Sequence, residues 1–167
     1  MSEQKSVDFA SPRFELLGAS FRFLAGPSET GFDVGVLAGG IPAGVAVPLH
    51  AHADPEVICI LEGSLDVYLE SYERGWRHAV AGDTVIIPGG VKHALLNKGS
   101  ADMNCILITQ GKLYRFFRDV TVPSDSTSLP PNPKQVERVF GISAEYGYWM
   151  GSPQDNAGIG LELPQQP

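Results

Sequence analysis

An all-β antiparallel sandwich or barrel, followed by a helical and irregular C-terminal extension, is the architecture this sequence predicts. Three observations carry that expectation. The 167 residues include 19 glycines and 13 prolines, an excess of turn-formers that favours many short strands over a few long helices. Short strand patterns follow one another from residue 32 to residue 110, separated by turn signals at regular spacing. Helical periods appear only beyond residue 110. The length fits one domain, large enough to bury a core without disulfides. It divides into an N-terminal segment (1–30), a strand-dense region (31–111) and a C-terminal extension with one or two helices (112–167).

The N-terminal segment carries a short apolar run, FRFLA (21–25), and a GPSETG turn. FDVGVLA (32–38) is the first clear strand, and GGIPAG (39–44) is expected to break it. VAVPLHAH (45–52) alternates loosely, ADP (53–55) turns, and EVICILEG (56–63) is a strand ending at Gly63. In SLDVYLES (64–71) Leu65, Val67 and Leu69 share one face, with Ser64, Asp66, Tyr68 and Glu70 on the other. WRHAVAG, DTVIIP (83–88), HALLNKG and MNCILITQ (103–110) complete the series. Gly63 and Gly90 fall at tight turns that call for a positive φ. Beyond the strands, the spacing of Tyr114, Phe116 and Phe117 reads as packing against the sheets, with a lid as the alternative. A helix is expected over 133–147, where Val136, Val139, Phe140 and Ile142 recur and Pro133 can open it.

Composition excludes several function classes. The net charge of −7 argues against nucleic-acid or polybasic membrane partners. No apolar run approaches the roughly 20 residues that span a bilayer, and MSEQKSVDFA lacks the apolar stretch of a secretory signal. Cys59 and Cys105 lie in apolar runs and read as buried, inert thiols rather than a disulfide framework. A cytoplasmic protein is the expectation. The N-terminal segment could add a strand to a partner's sheet edge, so a homodimer is expected.

The chemistry lies in the histidines. His50 and His52 are two apart, so on a strand both face the same way. Glu56 follows after ADP at an even offset, which can return its carboxylate to that face, and His93 lies just after a PGG turn on a later strand. An isolated His-x-His needs no ligand, and a Glu four residues on is commonly just solvated. Together, however, three imidazoles and one carboxylate make a site for a divalent transition metal. His78, in WRHAV, reads as a surface residue, and Cys59 has odd parity relative to Glu56 and should face away.

The glycines and prolines fall in register with these ligands. GVAVPLHAHADPEVICILEG (44–63) fits G-x5-H-x-H-x3-E-x6-G at Gly44, His50, His52, Glu56 and Gly63. GDTVIIPGGVKHALLN (82–97) fits G-x5-P-x-G-x2-H-x3-N at Gly82, Pro88, Gly90, His93 and Asn97. These two motifs, separated by 18 residues, closely resemble those of the cupin superfamily, in particular small single-domain bacterial cupins. The resemblance implies an antiparallel jelly-roll β-barrel with the metal inside it, held by His50, His52, Glu56 and His93. The N-terminal run, LYRFFRDV and AEYGYWMG are similar to the quercetin dioxygenase-like branch.

Four protein ligands on a six-coordinate ion leave two positions open, as catalysis requires. The donor set suits one ion of Fe, Mn, Ni, Co or Zn. Glu56 is expected to double as general base. The likeness to quercetin dioxygenases implies a dioxygenase acting on a small enediol- or flavonol-like substrate. Ile58, Ile60 and Leu95 would line its pocket or simply fill the core. Asn97 would bond from behind His93 or form the NKG turn. The alternatives are a metal-dependent isomerase, lyase or cyclase on the same site, or a non-catalytic small-ligand-binding protein.

Overall fold

The computed structural model describes residues 12–73, 75–124 and 132–162. Among the described residues twelve strands form two antiparallel sheets. In chain order they are β1 (Phe14–Leu16), β2 (Ala19–Ala25), β3 (Val34–Ile41), β4 (Ala46–Ala51), β5 (Glu56–Glu62), β6 (Ser64–Leu69), β7 (Trp76–Val80), β8 (Thr84–Ile87), β9 (His93–Leu96), β10 (Met103–Gln110), β11 (Val122–Pro123) and β12 (Trp149–Met150). The seven-stranded sheet has the order β11-β1-β2-β3-β10-β5-β8, and the five-stranded sheet the order β12-β4-β9-β6-β7. Between β3 and β10 the chain crosses between the sheets at corners rich in glycine and proline: residues 42–45, 52–55, 63, 81–83, 88–92 and 97–102.

Those corners correct one expectation. The architecture is jelly-roll-like, but the two sheets are not closed into a barrel. Each corner ends the ladder on one sheet before the chain enters the other, so among the described residues no strand is hydrogen-bonded to both. The sheets pack face to face instead. Alternation supplies the inner faces: Leu65, Val67 and Leu69 of β6 are buried while the residues between them are not. They meet Leu37, Ile58, Ile87 and Leu107 in one apolar cluster.

Three local departures from the sequence reading have simple causes. β3 runs through Gly39 and Gly40 rather than stopping before them, because it is a central strand paired on both sides, with β2 and β10. The ladder outweighs the weak strand preference of glycine, and the break comes at Pro42. β4 pairs irregularly with β9 between Val47 and His50, where Pro48 has no N–H to give. Residues 14–25, read above as a segment with a short apolar run, are strands β1 and β2, because β3 offers its edge to β2.

The positive φ expected at Gly63 and Gly90 is present, at 74° and 80°. The two sites differ in their surroundings. A Cβ on Gly63 would lie 2.6 Å from the Asp102 carbonyl oxygen, whereas one on Gly90 would meet nothing within 4 Å. Gly90→Ala is therefore expected to cost only the left-handed strain, about 1–2 kcal/mol. Gly63→Ala adds a backbone collision and should cost more than about 2 kcal/mol. Urea denaturation of both variants checks the ranking, and a smaller loss at Gly63 would contradict it.

Four helices among the described residues accompany the sheets: α1 (Pro27–Thr30), α2 (Gly111–Val120), α3 (Pro133–Glu145) and α4 (Pro153–Gly158). LYRFFRDV becomes α2, with Leu113, Phe116, Phe117 and Val120 buried against the sheets. α3 starts where Pro133 predicted it, capped by Asn132 and Gln135 in a reciprocal box. It packs on α2 and β12, its buried residues being Val139 and Ser143. None of these helices is long and apolar enough to cross a membrane.

Candidate metal centre

Adjacent strands of the five-stranded sheet set the first two ligands. His50 on β4 pairs directly with His93 at the start of β9, and their rings lie 4.1 Å apart between centroids. His52 follows two residues on, and the turn before β9 is docked on it, with the Gly90 N–H donating to the His52 carbonyl at 2.7 Å. Glu56 opens β5 in the other sheet and points inward. One donor atom from each of His50, His52, Glu56 and His93 lies within 4.8 Å of all the others. The four side chains that the sequence nominated thus converge from three strands and a corner.

Each imidazole is oriented by its own backbone. Nδ1 of His50 bonds the Pro48 carbonyl (2.7 Å), Nδ1 of His52 the Asp54 carbonyl (2.8 Å) and Nδ1 of His93 the Val91 carbonyl (2.8 Å). A carbonyl only accepts, so Nδ1 carries the proton in all three rings, and every Nε2 presents a lone pair to the centre. The Tyr148 ring packs on His52 at 5.3 Å. Its hydroxyl donates to the Asp54 carboxylate, which also accepts the Leu113 N–H, both at 3.3 Å. Tyr148 and Asp54 had no signal in the sequence, since neither falls at a fixed motif position.

The electrostatics call for a cation. His52 Nε2 lies 2.8 Å from Glu56 Oε1, and His93 Nε2 lies 3.6 Å from the same oxygen. With Nδ1 already protonated, the neutral His52 ring would set one acceptor against another, so a proton or a metal ion must sit between them. His93 Nε2 is buried with no hydrogen-bond partner, a costly arrangement unless it has a ligand. Three neutral imidazole nitrogens and one carboxylate therefore fit a divalent transition metal, consistent with the expected donor set.

Burial, together with its imidazole neighbours, pushes His50 down to about 3. Burial opposes charge on His52 too, but its hydrogen bond to Glu56 and that group's charge raise its pKa above 6.5. Burial would raise Glu56, yet the hydrogen bond from His52 and the nearby His93 ring hold it well below the usual carboxylate range. Of these three groups only His52 takes up a proton near neutrality, and that proton competes with the metal for Nε2. Metal affinity is therefore expected to fall about tenfold per pH unit below the raised His52 pKa. Competition titrations from pH 8 to pH 5 test this, and a threefold steeper logarithmic slope would contradict it.

His50, His52 and Glu56 open onto a cavity of about 120 Å³, while His93, 1% exposed, sits behind them. Of the wall residues proposed above, Ile58 and Leu95 line it and Ile60 and Asn97 do not. Ile60 lies further along β5 in the core. Asn97 is spent elsewhere: its amide donates to the Ala101 carbonyl of its own turn and to the Ile41 carbonyl of β3, and its oxygen accepts the Gly99 N–H. That is the turn-forming alternative. The remaining wall is mainly apolar and includes Phe21 of β2, Phe116 and Phe117 of α2, Val139 and Ser143 of α3, and Met150 of β12. Short apolar elements distant in sequence could not be assigned to one wall by pattern alone. Tyr114 lies outside the cavity and packs on Phe23. His78 is on the surface beside Asp66. Cys105 is buried on the cavity wall, its thiol pushed up to about 12 by burial. Cys59 is only half-buried, on the opposite face of β5, so the expectation of two buried thiols holds for Cys105 alone.

Residues 40–109 match the sequence model of the cupin domain. No curated protein matches the sequence. Among solved structures, the chain is similar to a predicted oxalate decarboxylase from Thermotoga maritima, at 18% identity and TM-score 0.55, over 63% of this chain and 96% of that one. It is similar to an RmlC-like cupin from Shewanella frigidimarina, at 18% and 0.54, over 66% and 92%. A sugar phosphate isomerase of the cupin superfamily from Silicibacter pomeroyi matches at 20% and 0.52, over 63% and 74%. At these identities the likeness is one of fold.

Proposed function

This chain belongs to the cupin superfamily, and from that premise we propose that it is a metal-dependent dioxygenase of a small enediol-like substrate. The observation that carries the reading is the convergence of four donor atoms within 4.8 Å beside a mainly apolar cavity that His50, His52 and Glu56 line. When bound, the ion would supply Lewis-acid polarisation of the substrate's oxygens and electron transfer to O₂ as co-substrate.

The chain's own residues do the rest. The three Nε2 atoms and Glu56 would hold the ion, and the Nδ1 bonds stop the rings from turning. Both imidazole contacts of Glu56 use Oε1, so Oε2 is the atom placed to take the proton of an enediol hydroxyl, making Glu56 the general base. The apolar wall excludes bulk water from the reacting group. A cavity of about 120 Å³ suits a molecule near benzene in size, which favours a compact enediol over a three-ring flavonol. No lysine or arginine lines it among the described residues, which disfavours phosphorylated substrates.

The test is anaerobic purification, elemental analysis and O₂-electrode assays with a panel of small enediols after loading with Fe(II), Mn(II), Ni(II), Co(II) or Zn(II). Stoichiometric metal and metal-dependent O₂ uptake are expected. Turnover that persists without O₂ in the Zn(II) form would replace this reading by an isomerase, lyase or cyclase on the same ligands.

A further inference from the structure

One residue that lines the cavity carries a buried polar atom that is left over. Ser143 lies on α3, 1% exposed, and its hydroxyl has no hydrogen-bond partner. A serine inside a helix usually returns its hydroxyl to the carbonyl four residues back; here that would be Val139, and the bond is not made. Burying a hydroxyl unbonded is costly, so the fold does not hold Ser143 there for its own stability. Ser143 is among the residues that line the same cavity as His50, His52 and Glu56. Its position is tied to theirs: the Tyr148 N–H donates to the Ser143 carbonyl at 2.9 Å, and the Tyr148 ring rests on His52.

The other polar groups of the wall are already engaged or inert. The tetrad is directed at the metal, the Tyr148 hydroxyl is bonded to Asp54, and the Cys105 thiol stays neutral. We propose that Ser143 is a substrate-binding residue: its hydroxyl bonds an uncharged oxygen, a hydroxyl or carbonyl, that the substrate carries in addition to its metal-directed pair. The proposal rests on the reading that a small molecule binds beside the metal, and it deepens that reading. The substrate class becomes a compact, oxygenated molecule with three oxygens, two for the ion and one for α3. The oxygen at Ser143 is neutral because no cation among the lining residues would offset an anion there.

The test compares catechol with its 3-hydroxy and 4-hydroxy derivatives on the Zn(II)-loaded protein by calorimetry, in wild type and Ser143→Ala. Wild type should bind at least one hydroxylated probe about tenfold more tightly than catechol. Ser143→Ala should erase that preference, leave catechol affinity within twofold, keep the zinc content, and hold or raise the melting temperature of the metal-free protein. A preference that survives the substitution, no preference in wild type, or a lower melting temperature in Ser143→Ala would overturn the proposal. Failure of all three probes to bind would count against this proposal and the dioxygenase reading together. A Ser143-dependent preference without O₂ uptake would leave the binding site standing and remove only the oxygenase. O₂ uptake without such a preference would do the reverse.

Discussion

His93→Ala is expected to lower metal affinity by more than about a hundredfold while the protein remains folded. Outer partners of ligating histidines are worth about 10–100-fold in affinity, and a ligand should be worth more than the group that orients it. His93 has both roles in this centre: its Nε2 is the buried atom without a partner, and its ring packs against His50 and His52. The fold should survive because two effects offset each other in the metal-free protein. Alanine leaves a void beside His50, which destabilises, but it also removes an unsatisfied buried nitrogen, which stabilises. Competition against a chromophoric chelator gives the affinity, and circular dichroism gives the fold. Wild-type affinity in His93→Ala would show that the ion binds elsewhere. His78→Ala is the control: that side chain is 58% exposed, and its loss should change neither reading.

Asn156→Ala should destabilise the protein by roughly 3 kcal/mol, which for a chain of this size lowers the melting temperature by about 6–12 °C. Asn156 is fully buried and ties α4 to β4, the strand that carries His50. Its Oδ1 accepts the Leu49 N–H at 2.8 Å, and its Nδ2 donates to the Gly151 and Ser152 carbonyls. Each bond is worth about 1 kcal/mol, and the abandoned Leu49 N–H adds a desolvation cost. Leu49 precedes His50, so metal affinity should fall in the same variant. Gln154→Ala, on the exposed face of α4, should stay within about 0.5 kcal/mol of wild type. Equal melting temperatures for the two variants would show that α4 does not brace the site.

What the sequence alone determined about this protein is the part written in short spacings. A step of two from His50 to His52, an even step to Glu56 and a turn before His93 sufficed to nominate the ligands, because strand geometry makes side-chain direction a matter of parity. The same parity put Leu65, Val67 and Leu69 inside. Tertiary structure alone decided what depends on the meeting of distant segments. The two sheets stay open because each corner ends one ladder before the next begins. β3 runs through Gly39 and Gly40 because β2 and β10 flank it. Asn97 bonds its own turn and β3 instead of facing the cavity. The cavity wall is assembled from β2, α2, α3 and β12, whose apolar residues look alike in sequence whether they fill a core or line a pocket. Ser143 shows the difference most plainly: one serine in an amphipathic helix says nothing until packing buries its hydroxyl and leaves that hydroxyl without a partner.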